Sequence, residues 1–250
     1  MKVVIRCDHC GAPLSYKAGD YVATCKYCGY TTVLTHDRPF TLEHSLLPFN
    51  VKDGREAVEI VKGWMASSFL APKGLDRKAK FDEVVLFVYP FWVVPIEAVT
   101  RFKGVFERIG AGHVKEGKVR GKYDWLVVAQ RASDFPTREY DVPLRGKMPY
   151  DFTKIPEYAK VLNAEFGEEE AVEKAKAEVV EHHIYLARKE VDRVIEHETE
   201  FKVGEACYLH APVWRINYSY KGKRYRVLVD GTEGKVIVGD LPTPGIFDAF

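Results

Sequence analysis

Amide side chains are almost missing from this chain. Its 250 residues include one glutamine, Gln130, and three asparagines, Asn50, Asn163 and Asn217, among plentiful lysine, arginine and glutamate. Few thermolabile amides among many charges is the composition expected of a hyperthermophile's protein. Charge runs therefore carry a stability reading beside a binding one. Long hydrophobic runs are lacking too. The most apolar stretch, Val84 to Ile96, is thirteen residues long, contains Pro90 and Pro95, and is flanked by Glu83 and Glu97. A membrane-spanning helix needs about 20 apolar residues. The start, Met-Lys-Val-Val-Ile, has no signal-peptide pattern. The expectation is a cytoplasmic protein with reduced cysteines and no membrane partner.

Excess charge of one sign is absent as well. The formal net charge is +1, which excludes bulk electrostatic coating of nucleic acid. Neither G-x-S-x-G nor H-E-x-x-H occurs. A G-x4-G-K run spans Gly112 to Lys118, but Val119 stands where a hydroxyl would hold magnesium. Arg120-Gly121 follow in place of a helix start, so the run reads as a basic surface turn.

What the chain does have is four cysteines near its start. Cys7 and Cys10 form C-x2-C, fourteen residues intervene, and Cys25 and Cys28 repeat the pair. Thiolates two residues apart grip one metal from a tight turn, and two such turns joined by a hairpin complete a tetrahedron. Glycine follows each second cysteine, as Gly11 and Gly29. It accepts the left-handed backbone that points N–H groups at the sulfurs. One structural zinc is expected on Cys7, Cys10, Cys25 and Cys28, with a rubredoxin-like iron site as the alternative metal. His9 and His36 are nearby, but four cysteines already complete the shell.

The fold class expected is α+β, an N-terminal zinc ribbon followed by an antiparallel-sheet body with two main helices. Residues 1–36 are the ribbon, 37–165 a helix plus antiparallel β region, and 166–250 a long acidic helix plus an antiparallel meander. Residues 37–52 read as a connector. Asp53 caps a helix to about Leu70, with Ala57, Ile60, Val61, Trp64 and Met65 at helical spacing. Residues 82–109 read as two or three strands broken near Pro90 and Pro95. A turn-rich stretch covers Gly110 to Gly121, and a strand runs from Tyr123 to Arg131. A helix is expected from Glu168 to about Glu196, with Val172, Ala175, Val179, His183 and Leu186 in one stripe. The last segment alternates. Trp214, Ile216 and Tyr218 share a face with Tyr225, Val227 and Val229, opposite Arg215, Asn217, Arg224 and Arg226.

Charge is unevenly spread. Residues 101–124 carry seven basic groups (Arg101, Lys103, Arg108, Lys115, Lys118, Arg120 and Lys122) against three acids. Residues 215–226 carry Arg215, Lys221, Lys223, Arg224 and Arg226 and no acid. Residues 165–200 hold twelve carboxylates against five basic groups. Rigid basic faces suit phosphate contacts, so Arg215, Lys221, Lys223, Arg224, Arg226, Lys115, Lys118, Arg120 and Lys122 are candidate nucleic-acid or partner-binding residues. The plainer reading packs the meander's basic face on the acidic helix. His182 and His183 fall mid-helix and read as boundary histidines. Cys207 with His210 is a conceivable nucleophile pair, though a buried apolar cysteine is the commoner case.

Several motifs together resemble a poorly characterised zinc-ribbon family. They are the ribbon, Pro48-Phe49 with Ala57 and Trp64, Tyr89-Pro90-Phe91-Trp92, and Pro212-Val213-Trp214 through Tyr218, Tyr220-Lys221-Gly222-Lys223 and Tyr225. Gly231 and Gly234-Lys235-Val236 complete the set. Its members are often labelled transcription-factor-IIB-type or primosomal helicase-like. The C-terminal helix and hairpin are also similar to a PepSY-type unit. The resemblance spans most of the chain and implies little about function. The residues point to a non-enzymatic adaptor docking on RNA or a nucleoprotein such as the ribosome, with no small-molecule substrate. The alternatives are a protein-only assembly module or homodimer, and a hydrolase-type enzyme.

Overall fold

Alternation sets the centre of the fold. The structure, a computed structural model, describes residues 5–17, 19–34, 44–106 and 113–242. Two short strands near the start, β1 (Val22–Thr24) and β2 (Thr31–Val33), pair antiparallel as a hairpin beside the cysteines. Then come β3 (His44–Leu46), α1 (Gly54–Ser67), the one-turn α2 (Leu75–Lys78), β4 (Lys80–Val105) and β5 (Val114–Val128). Two-residue strands β6 (Met148–Pro149) and β7 (Lys160–Val161) precede α3 (Glu168–Ala187). The chain closes with β8 (Arg193–Val203), β9 (Cys207–Tyr220), β10 (Lys223–Asp230) and β11 (Val236–Gly239). The class is α+β. No helix among the described residues is long and apolar enough to cross a membrane.

The chain divides into two compact units that interleave in sequence. One holds Met1–Phe91, Gln130–Glu165 and Tyr208–Phe250, and the other Trp92–Ala129 and Phe166–Cys207. One of these divisions falls between Glu165 and Phe166.

In the first unit the sheet order is β11-β10-β9-β3-β6. Tyr225 lies opposite Tyr218, Val227 opposite Ile216 and Val229 opposite Trp214, the register expected from the alternation. This apolar face meets α1, whose Ala57, Val61 and Met65 are buried in one cluster with Trp214, Ile216, Tyr218, Val227 and Val229. Asp53 caps α1, its Oδ1 accepting from the N–H groups of Arg55 (2.8 Å) and Glu56 (2.9 Å). The β9–β10 turn places Lys221 at φ 48° and Gly222 at φ 77°, the left-handed pair that suits the twist of a two-residue hairpin. Within the expected connector lies β3, an inner strand parallel to β9 with Leu46 fully buried. Three residues are too few for a periodic signal. Residues 35–43 lie outside the described set.

In the second unit β4 pairs with β5 and β8, and α3 packs on β5 and β8. Ala171, Ala175, Val179, His183 and Ala187 form its buried stripe. The helix ends nine residues before the expected Glu196, because Arg188, Lys189 and Glu190 are exposed and a strand alternation takes over at Arg193.

Two expectations about strands are corrected. Residues 82–105 form part of one continuous strand, not two or three. On the side of β7 and β8 the prolines fall between ladders: pairing with β7 covers Phe87 and Val88, and pairing with β8 begins at Ile96. Neither proline is asked for the N–H it lacks on that side. Pro95 instead accepts from Gly204 N–H at 2.8 Å. The supposed turn before Gly121 is mostly strand, since β5 starts at Val114. Gly117 marks a close approach, because a Cβ there would sit 2.3 Å from the Phe102 ring. Gly117→Ala should destabilise the chain by about 1–3 kcal/mol in urea unfolding, as overpacking does. A turn glycine free of neighbours would show no such loss.

Candidate metal centre

The four cysteine sulfurs converge. One ligand atom from each of Cys7, Cys10, Cys25 and Cys28 lies within 4.8 Å of every other. Each pair sits on a tight turn closed by its glycine: Gly11 N–H donates to Cys7 O (2.9 Å) and Gly29 N–H to Cys25 O (2.8 Å). Both glycines have positive φ, 70° and 74°. A tetrahedral ion with bonds of about 2.3 Å places its sulfurs about 3.8 Å apart. The Sγ···Sγ separations are 3.5 Å for Cys7–Cys28 and 3.7 Å for Cys10–Cys25. The donor set therefore fits a metal ion. Thiols this crowded cannot all ionise together. Burial opposes ionisation of Cys25, yet the N–H groups of Tyr27 and Cys28 and the neighbouring thiols bring it down to about 7. Burial and the other sulfurs push Cys28 up to about 12. A bound cation removes that conflict. His9 is exposed and stacked on Tyr30 at 5.7 Å, outside the cluster. His36 lies outside the described residues.

The hairpin that carries these sulfurs is seated on the body of its own unit. The backbone N–H groups of Tyr21 (2.7 Å) and Val22 (3.3 Å) both donate to Ala164 O. Thr24 N–H donates to Asn163 Oδ1 at 3.2 Å, and Asn163 Nδ2 donates to Asp20 Oδ2 at 3.0 Å. The second knuckle closes over Phe152. A Cβ on Gly29 would fall 1.9 Å from the Phe152 Cβ, so this glycine is required twice, for its φ and for the contact.

A histidine–tyrosine cluster lies in the same unit. His44 Nδ1 meets His210 Nε2 at 2.9 Å, and His44 stacks on Tyr150 at 4.0 Å between ring centres. His210 is fully buried, with Tyr208 edge-on at 4.8 Å. Burial holds His44 down at about 4 and His210 well below its ordinary value. Cys207 and His210, read as a conceivable nucleophile pair, are three residues apart on β9, so their side chains leave opposite faces.

The basic candidates separate into two groups. In the second unit, charges alternate along the outer sheet face. Lys115 pairs with Glu190 (2.9 Å), Lys122 with Glu97 (2.7 Å), Lys103 with Glu196 (3.1 Å) and Arg101 with Glu200. Lys118 and Arg120 are exposed, and neither forms an ion pair among the described residues. Arg108 and Gly112 lie outside the described set, and Lys118 sits mid-strand in β5, not at a helix start. In the first unit Arg226 pairs with Asp134 (2.8 Å), and Arg215 lies 4.0 Å from Glu83 with its guanidinium 4.2 Å above the Phe87 ring. Lys221, Lys223 and Arg224 at the turn are exposed. A shallow depression of about 480 Å³ beside them is lined by Arg224, Arg226, Asn217, Asp134 and Asp240.

His183 is not a boundary residue. It is fully buried, with Nδ1 2.7 Å from Thr100 Oγ1 and Nε2 2.9 Å from Tyr123 OH. Thr100 continues the chain to Thr199 at 2.8 Å. Sequence periodicity put His183 on the right stripe but could not supply its partners from β4 and β5. Other residues were missed outright. Asn163 sits in an irregular stretch without pattern, and His44 lies inside the expected connector. Tyr27 and Tyr30, inside the cysteine motif, were passed over although their position beside the ligands was a usable signal.

One measurement checks the metal centre and another the histidine cluster. Purified chain should carry one equivalent of metal by elemental analysis, and Cys25→Ser should lose most of it and melt at a lower temperature. Stability should also fall with acid. Unfolded His44 binds a proton near pH 6.5, whereas the folded form refuses it until about pH 4. The stabilisation is therefore complete above 6.5 and declines below it, by about 3 kcal/mol between pH 7 and pH 4 from His44 alone. Urea unfolding across that range should show the slope, and His44→Phe should make it shallower.

No protein-family model matches the chain, and no curated protein or solved structure matches it.

Proposed function

We propose that this chain is a non-enzymatic, zinc-stapled adaptor that docks on RNA within a nucleoprotein assembly, with the ribosome as a host of suitable chemistry. Membership of the zinc-ribbon family described above and a cytoplasmic location are parts of the same proposal. Zinc is favoured because four thiolates close its tetrahedron and leave no position for substrate, which is the pattern of a structural ion. The observation that carries the RNA reading is the exposed turn of the meander. Lys221, Lys223 and Arg224 project from a rigid hairpin beside the depression that holds Arg226. In the second unit Lys115 and Lys122 are matched by carboxylates. Local positive charge on a neutral chain favours contact with particular phosphates over general coating.

Fluorescence anisotropy with a labelled single-stranded RNA tests the reading. Affinity should fall steeply between 50 and 300 mM KCl. The triple variant Lys221→Ala, Lys223→Ala, Arg224→Ala should bind more weakly, with its log–log salt slope shallower by about 2. Binding indifferent to salt removes the phosphate-contact idea. A stable dimer without RNA affinity favours the protein-only assembly module.

A further inference from the structure

The cysteine hairpin presents aromatic rings to solvent. Tyr27 is 61% exposed and Tyr30 38% exposed, although both belong to a knuckle too small to waste apolar area. His9, from the first knuckle, lies nearly parallel to Tyr30, with ring centres 5.7 Å apart and planes 18° apart. Lys26 holds its Nζ 5.0 Å from the centre of the Tyr27 ring. Arg6 is exposed, its Nη1 donating to Gly11 O at 3.0 Å across the first knuckle. The nearby acid Asp20 is turned inward, accepting from Lys17 N–H and Asn163 Nδ2. The surface offered is therefore aromatic and basic, with Asp8 as its exposed acid.

We infer that Tyr27, Tyr30 and His9 form a base-stacking site for unpaired nucleotides of single-stranded RNA, with Lys26 and Arg6 directed to the phosphates. This rests on the RNA reading above and adds a site to it. Each element of the arrangement has a chemical reason. Aromatic rings held at the surface receive the flat face of any base, whatever its identity. Bases within a duplex are stacked on one another and have no free face to offer. The turns are braced by their hydrogen bonds to the cysteine carbonyls, so Tyr27 and Tyr30 are displayed from fixed backbone. The hairpin's seat on Asn163 and Ala164 fixes it further. A protein partner would also use exposed tyrosines, but the flanking Lys26 and Arg6 suit phosphate.

The test uses the full chain and a labelled single-stranded oligoribonucleotide, alongside a duplex of the same sequence. Tyr27→Ala and Tyr30→Ala should each weaken single-strand binding about fivefold or more, as loss of a stacked base does. Their salt slopes should match that of the unaltered chain, because no charge has been removed. Tyr27→Phe, which keeps the ring, should restore binding. Metal content and melting temperature of the variants establish that the knuckle is intact. The duplex should bind more weakly than the single strand. Equal binding by Tyr27→Ala, Tyr30→Ala and the unaltered chain overturns the stacking site while leaving RNA docking in place. Equal affinity for duplex and single strand overturns the stacking site as well. Absence of any RNA binding by the unaltered chain overturns both.

Discussion

The cysteine hairpin cannot hold itself together, and much of the first unit is organised around that fact. Its apolar cluster has four buried members, Cys7, Leu14, Ala23 and Cys25, and two of these are candidate ligands. Burial on that scale does not offset the conformational entropy of ordering about thirty residues. Two supports make up the difference. One would be a metal on the four thiolates, whose binding energy would become folding energy. The other is the body itself, through Ala164 O, the Asn163 side chain and the Phe152 ring under Gly29. The result is a hairpin fixed in place, not a knob on a tether.

The rare amides make sense in this light. A chain with three asparagines has placed each one across a long stretch of sequence. Asn163 seats the hairpin, Asn50 Nδ2 donates to Thr232 O at 2.9 Å, and Asn217 Nδ2 donates to Glu83 Oε2 at 2.6 Å. An amide supplies donor and acceptor without charge, which suits the part-buried junctions of Asn163 and Asn50, while Asn217 ties β9 to β4 at the surface. Charged residues do the opposite work on the outer face of the second unit, where basic and acidic side chains alternate across β4, β5 and β8. Each such exposed pair contributes little alone, but the network explains why a run rich in lysine and arginine need not be a binding face.

How much of this was legible beforehand depended on the range of the interactions. The ligand spacing, the knuckle glycines, the Asp53 cap and the β9–β10 register are set by neighbours within a few residues, and sequence pattern captured them. The continuity of β4 through Pro90 and Pro95 was not visible, because it depends on which strand pairs with which stretch. Gly117 looked like a turn for the same reason, since its neighbour Phe102 is distant in sequence. The His44–His210 contact joins residues 166 positions apart and left no local trace. Charge counts by segment identified the basic runs but could not tell which were matched by acids from other strands. At the candidate site, the metal ligands were readable and the seat beneath them was not.

The most direct test of this account is amide hydrogen exchange of the metal-loaded chain, read at Tyr21, Val22 and Thr24. Seated on Ala164 and Asn163, these amides should exchange slowly while the metal is bound. On chelation they should lose protection, while Val227 in the β9–β10 ladder keeps its own. Free exchange at Tyr21 and Val22 with metal bound, or protection unchanged after the metal is removed, would contradict the claim that metal and body together hold the hairpin.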